Sequence, residues 1–89
     1  MKLSIIIVNY KSAQLIDDCL SSAKAFDSFN DFEWIIVDNQ SNDNSKEILT
    51  SKYPALTWVD MGYNAGFSRA NNAGIRIAKG EFVLLLNPD

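Results

Sequence analysis

The sequence predicts an α/β domain: an open, mostly parallel four-stranded sheet, strand order 3-2-1-4, with helices on both faces. Three observations lead there. Segments of strand length and strand-like composition recur four times, at residues 3–8, 33–37, 56–61 and 82–86. Between them lie segments whose apolar residues recur at spacings of three and four, the signature of a helix with one buried face. Strand and helix alternate throughout, which argues for parallel strands joined by right-handed crossovers.

The first strand, residues 3–8, is rich in β-branched residues, which suit a buried pleated surface. Asn9, Tyr10 and Lys11 break the run. Ser12 is a plausible N-cap for a helix over 13–26, with Ile16, Cys19, Leu20, Ala23 and Phe26 on one face. Residues 27–31 read as a polar loop. The second strand covers 33–37, followed by a stretch, 38–43, with no apolar residue. A second helix over 45–53 starts at Asn44, where Glu47 completes a possible capping box, and Pro54 ends it. The third strand covers 56–61 and residues 62–66 form a glycine-bounded loop. Phe67, Ala70, Gly74, Ile77 and Ala78 mark a third helix, with Gly80 in the C′ position.

The last strand is apolar without interruption from Phe82 to Leu86, and Pro88 stops it. Such a run belongs where both faces are covered. In the order 3-2-1-4, however, the first two helices share one face, the third covers the other, and this strand stands at an open edge. An apolar edge is a pairing hazard. The expectation is a longer domain or an oligomer that buries it.

Composition excludes several classes. A chain of 89 residues with 47% hydrophobic and 21% charged residues is one small globular domain, not a disordered segment. Net charge is -3 with no basic cluster, so nucleic-acid binding has no support. No apolar run reaches the roughly 20 residues of a membrane helix. Residues 5–8 are too short for a signal peptide core, which makes cytoplasmic the default location. One cysteine, Cys19, permits no internal disulfide and reads as a small core residue. The absence of histidine removes serine-histidine and cysteine-histidine mechanisms and leaves carboxylates or lysines as bases.

Open α/β sheets bind ligands where strand order reverses, here between strands 1 and 4. The loops meeting there carry Asn9 and Tyr10, residues 38–41, and residues 87–89. Asp38 can accept an imide N–H from a pyrimidine, Tyr10 can stack on a ring, and Asp89 can hold a divalent cation against a diphosphate. Each has a plainer reading. Asp38 and Asp43 also suit turns and caps. Tyr10 can pack at a strand end, and a single carboxylate is a weak metal site. Loop 62–66 can cradle phosphate or simply turn, and Arg69 and Arg76 suit solvated helix positions. Neither a P-loop nor a G-x-G-x-x-G fingerprint is present; no glycine precedes Gly62.

Taken together, Ser4-Ile-Ile-Ile-Val-Asn-Tyr-Lys-Ser12, Ile36-Val-Asp-Asn-Gln-Ser-Asn-Asp43, Asn64-Ala-Gly-Phe-Ser-Arg-Ala-Asn-Asn-Ala-Gly74 and Leu84-Leu-Leu-Asn-Pro-Asp89 resemble the N-terminal half of family 2 glycosyltransferases. The resemblance covers essentially the whole chain in order and spacing. It implies a GT-A fold, with residues 1–89 as the Rossmann-like nucleotide-sugar-binding half and the acceptor half absent. It implies inverting transfer from a UDP- or dTDP-sugar to a saccharide or lipid-linked acceptor, with Mg2+ or Mn2+, in cell-surface polysaccharide synthesis. The location implied is cytoplasmic, or peripheral at the inner face of the membrane.

Carried onto this sequence, Asn9 and Tyr10 lie along the nucleoside, Asp38 reads the base, and Ser41, Arg69, Asn71 and Asn87 complete the nucleotide site. Asp89 contacts metal and diphosphate. The family's D-x-D motif begins here with Asn87, and Asn71 stands where many members have arginine. Both departures resemble the branch that includes bacterial rhamnosyltransferases, which implies dTDP-rhamnose as donor. The family's catalytic base lies beyond residue 89, so the chain by itself is expected to be inactive. Two other readings stay open. One is a non-catalytic nucleotide- or partner-binding module. The other is a nucleotidyltransferase, which would carry a glycine- and lysine-rich loop where Tyr10-Lys11-Ser12 stands.

Overall fold

The structure, a computed structural model, describes residues 2–88. It contains β1 (Leu3–Asn9), α1 (Ala13–Lys24), a 3-10 turn (Asp27–Asp31), β2 (Glu33–Asp38), α2 (Ser45–Lys52), β3 (Thr57–Asp60), α3 (Phe67–Ile77) and β4 (Phe82–Leu85). The four strands form one parallel sheet in the order β3-β2-β1-β4. The expected topology is therefore the observed one.

Strand alternation divides the core in two. Ile5, Ile7, Trp34 and Ile36 face Ile16 and Leu20 of α1 and Leu49 of α2. Ile6, Val8, Ile35 and Val37 face Ala70 of α3. Because β1 and β2 are central, both faces of each are covered, and their apolar runs need no alternation. On the second face α3 lies very close to the sheet. A Cβ on Gly74 would stand 2.7 Å from Cγ2 of Ile6, so any larger residue at that turn would have to displace the Ile6 side chain.

Several local expectations change. Ser12 makes no capping bond to α1; its hydroxyl donates to the Tyr10 carbonyl instead. Asn9 accepts the Ser12 amide, so the preceding strand supplies the polar partner at this end. At α2 the Asn44 and Glu47 capping box is not formed by Asn44, which makes no side-chain cap bond. Asp43 does that work, accepting the Ser45 amide and hydroxyl through Oδ1. Residues 27–31 are a 3-10 turn rather than a plain loop, because Phe29 enters the core and stacks on Trp34. Phe26, expected on the buried face of α1, follows the helix end and is exposed. Cys19 is only half-buried, and burial pushes its thiol pKa up. The first face is also tied together by polar contacts. Lys52 pairs with Asp17 at 2.8 Å, and Tyr53 donates to the same carboxylate at 2.6 Å. The bonds from Lys52 and then Tyr53 hold the Asp17 pKa below its usual range.

Gly80 is not a left-handed helix cap, since α3 ends on extended Ala78. It is instead part of a clasp at the amino edge of the sheet. The Gly80 amide donates to Ser4 Oγ at 2.8 Å, Ser4 Oγ donates to Glu33 Oε1 at 2.7 Å, and the Lys79 amide donates to the same oxygen at 2.8 Å. Burial pushes the Glu33 carboxyl up, but the Lys79 amide, the Ser4 hydroxyl and the Lys79 charge outweigh it. They hold the group below its ordinary 4.5. A lowered native value contributes stability that is present above the unfolded pKa and lost as pH falls through the native one. Acid titration of stability should therefore show a loss below about pH 4.5. Glu33→Gln, which keeps an acceptor oxygen, should shrink that loss while leaving the separate contribution of Asp17. An unchanged acid limb in chemical denaturation would contradict this assignment.

β4 pairs with β1 through Leu3↔Phe82 to Ile6↔Leu85, and the Leu86 amide still donates to the Ile6 carbonyl. Its side chains are not covered, however. Phe82, Val83, Leu84 and Leu85 are 60%, 41%, 44% and 49% exposed. The covered faces implied by an uninterrupted apolar run are thus absent, and the open edge implied by the strand order is present. The first core cluster centres on β1 and β2 and meets the β4 side only at Leu86, and α3 packs on β1 and β2 on the other face.

Candidate functional site

The carboxyl ends of β1, β2 and β4 adjoin, and the residues singled out there fall into two groups. The first is a hydrogen-bonded cluster. Asn9 and Asp38 are register partners at the ends of β1 and β2. Asn9 Nδ2 donates to Asp38 Oδ1 at 2.9 Å and to Ser41 Oγ at 3.2 Å. Ser41 Oγ donates to Asp38 Oδ1 at 2.7 Å and accepts the Lys11 amide at 2.9 Å. Asn9 and Ser41 are buried, at 0% and 2% exposure, and Asp38 is half-buried. Asp38 Oδ2 receives one long bond, 3.3 Å from the Ser41 amide. Tyr10 is 44% exposed at the rim, with the Lys11 ammonium 5.4 Å from its ring centre.

The second group lines a cleft of about 260 Å³ on the α3 face. Val8, Leu85 and Leu86 come from the sheet and its edge, Phe67 and Asn71 from α3, and Asn87 from the segment after β4. Asn71 and Asn87 are thus brought together, while Arg69 is exposed on α3 and is not among the lining residues. Consecutive β1 residues join the two groups: Val8 lines the cleft and Asn9 enters the cluster. Asp89, the metal candidate, lies outside the described residues. Among the described residues no group of three or more aspartate, glutamate, cysteine or histidine side chains is placed to hold a metal.

Two contributors were not singled out from the sequence. Asn39, 4% exposed, donates to Asn64 Oδ1 at 2.9 Å and accepts the Ala65 amide at 2.8 Å. It thereby anchors loop 62–66, which leads into α3. Its signal in the sequence was only its place beside Asp38 after a strand. Phe67 reads from periodicity as a core residue but is 65% exposed in the cleft wall, because the first turn of α3 overhangs the sheet end.

The arrangement offers an aromatic rim, a carboxylate with one oxygen lightly used, and an apolar cleft bearing two carboxamides. That inventory suits an uncharged ring and hydroxyl groups more than a bare anion. No helix of the described residues is long and apolar enough to cross a membrane.

Known proteins share this framework. A poly(ribitol-phosphate) β-glucosyltransferase from Bacillus spizizenii is 38% identical over 94 aligned residues, covering 100% of this chain and 15% of its own length. A low-salt glycan biosynthesis hexosyltransferase from Haloferax volcanii is 37% identical, covering 98% of this chain and 27% of its own. The chain therefore spans about a quarter or less of the length of these relatives. Among solved structures, S. aureus TarS in complex with UDP-GlcNAc matches with a TM-score of 0.86 and 32% identity, over 100% of this chain and 27% of that one. A mannosyltransferase from Pyrobaculum calidifontis in complex with GDP-Man and Mn2+ matches with a TM-score of 0.85 and 27% identity, over 99% of this chain and 27% of that one. The four-stranded parallel α/β fold seen here thus matches GT-A glycosyltransferase structures. Residues 4–89 match the sequence profile of glycosyl transferase family 2, so nearly the whole chain carries the family's pattern and the chain belongs to that family.

Proposed function

We propose that residues 1–89 are the donor-binding half of an inverting glycosyltransferase that uses a UDP- or dTDP-sugar. The transferred group is a hexosyl or rhamnosyl unit, and the acceptor is a saccharide or lipid-linked hydroxyl in cell-surface polysaccharide synthesis. The site of action is the cytoplasm, at the inner face of the membrane for a lipid-linked acceptor. The observation that carries this reading is the adjacency of the β1, β2 and β4 carboxyl ends at the reversal of strand order, with Asn9 and Asp38 paired there beside a cleft lined by Val8, Leu85, Asn71 and Asn87. The UDP-GlcNAc and GDP-Man complexes of the two matched structures support a nucleotide-sugar as ligand.

Residue roles follow accessibility. Tyr10 lies against the base, Asp38 accepts its imide N–H, and Asn71 and Asn87 contact ribose or sugar hydroxyls. Arg69, exposed nearby, meets the phosphates. Asn9 and Ser41 act from beneath. The described residues alone do not make a cation site. A divalent ion would rest on Asp89 and the donor's diphosphate, where it would offset leaving-group charge.

In inverting transfer the acceptor oxygen attacks the anomeric carbon opposite the diphosphate. The new C–O bond forms as the bond to phosphate breaks, and a base takes the hydroxyl proton. The chain supplies the donor side. The base lies outside these residues, so residues 1–89 bind donor without turnover, and the open edge of β4 is covered by further chain or a second copy.

Thermal-shift measurements with UDP, dTDP and GDP, with and without Mg2+ or Mn2+, test this reading. A ligand that binds only the folded state at a hundredfold excess over Kd adds about 2.7 kcal/mol. UDP or dTDP should raise Tm, and Asp38→Ala should abolish the rise. Multiple turnover by the 89-residue chain, or no shift with any nucleotide, would count against it.

A further inference from the structure

We propose that Ser41 is a positioning residue. Its hydroxyl locks the loops after β1 and β2 into one unit and leaves a single oxygen of Asp38 for the donor, without touching the donor. The inference rests on the donor-binding reading above for its functional half and on hydrogen bonding alone for the rest. A serine hydroxyl has one proton and two lone pairs. Here all three are committed. The proton goes to Asp38 Oδ1 at 2.7 Å, the shorter and charge-assisted choice over the Asn9 carbonyl at 3.4 Å. The lone pairs take the Lys11 amide at 2.9 Å and Asn9 Nδ2 at 3.2 Å. With 2% exposure and no capacity left, Ser41 has nothing to offer a ligand.

What it offers instead is orientation. Asp38 Oδ1 accepts from both Ser41 and Asn9 and is filled. Oδ2, with one bond of 3.3 Å, keeps a lone pair. The carboxylate therefore cannot rotate without breaking two bonds, and the oxygen that remains is selected in advance. The backbone around the hydroxyl is held in a costly shape. Gln40 and Asn42, on either side of Ser41, have φ of 61° and 54°, and Lys11, bonded to Ser41 Oγ, has φ of 54°. Lys11 and Gln40, non-glycine residues in the left-handed region, persist there because surrounding contacts enforce it, whereas asparagine at 42 adopts that region more readily. The Lys11 turn is also the one that presents Tyr10. One hydroxyl thus governs both proposed contacts to the base.

Ser41→Ala and Ser41→Thr separate this from a general packing role. In amide hydrogen exchange, Ser41→Ala should speed exchange at Lys11 by on the order of tenfold, while Ile6 and Ile36 in the sheet keep their protection. By calorimetry, UDP should bind about tenfold more weakly with GDP changed little, so that the preference between them falls. Ser41→Thr, which keeps the oxygen, should restore both. Unchanged exchange at Lys11 in Ser41→Ala would overturn the proposal. So would equal weakening of both nucleotides with lost sheet protection. If the unaltered protein shows no preference for UDP over GDP, the donor-binding reading falls by itself. The Lys11 exchange then still decides whether Ser41 joins the loops.

Discussion

Gly80→Ala is expected to detach β4 from the sheet and to destabilise the domain by about 3 kcal/mol or more, from overpacking and lost buried hydrogen bonds together. A Cβ at this position would stand 2.7 Å from Ser4 N, 2.7 Å from Ser4 Oγ and 2.9 Å from the Leu3 carbonyl carbon. Two of these three atoms are backbone of β1. That strand cannot yield, because Ser4 is in register with Glu33 on β2 and the pairing continues to the strand's end. The segment bearing Gly80 must move instead. Its movement breaks the bond to Ser4 Oγ and strains the Lys79 amide bond to Glu33.

The consequence reaches the far end of the strand. Among the described residues β4 pairs with no strand but β1, and it leads Leu85, Leu86 and Asn87 into the cleft wall. Urea denaturation should show a lower midpoint for Gly80→Ala, and the Phe82 and Leu86 amides, bonded to Lys2 and Ile6, should lose exchange protection first. A stability change within about 0.5 kcal/mol, the range of an ordinary surface substitution, would show that the clasp has slack.

Ile36→Ala should cost about 2–5 kcal/mol, the range for removing a buried branched side chain and leaving a cavity. Ile36 is fully buried, lies opposite Ile7 on β1 and Trp58 on β3, and belongs to the cluster containing Leu20 and Leu49. Neighbours on both strands and two helices surround it, so the space cannot close without moving the sheet. A domain of this size has a total stability on the order of 5–15 kcal/mol, so much of the folded population is at stake. Ile75→Ala makes the control. Ile75 is 42% exposed on α3, and its truncation should cost well under half as much. Equal effects of the two changes would place the core elsewhere.

The elements and their order were legible because they follow from neighbours in sequence. The β-branched run at residues 3–8, the three- and four-residue spacing of Ile16 and Leu20, and the proline after residue 53 all act locally. The family motifs were legible for the same reason, and they put Asn9, Asp38 and Ser41 at the ends of adjacent strands. The direction in which those side chains point was not legible. Asn9 and Ser41 are 32 positions apart, and whether they face a ligand or each other depends on the path between them. Exposure behaves alike. Phe26 and Phe67 fit an apolar face by spacing, yet each sits at a helix end beyond the cover of the sheet.

The sequence by itself determined a parallel α/β layer and its family, since periodicity and motif order are properties of consecutive residues. Tertiary structure alone decided that Gly80 and Glu33 form a clasp, that Asn39 anchors the loop before α3, and that Ser41 is spent inside the protein. Each of these rests on atoms brought within hydrogen-bonding or van der Waals distance across roughly 25 to 76 positions of chain. Such distances are set only when the sheet closes and its helices pack.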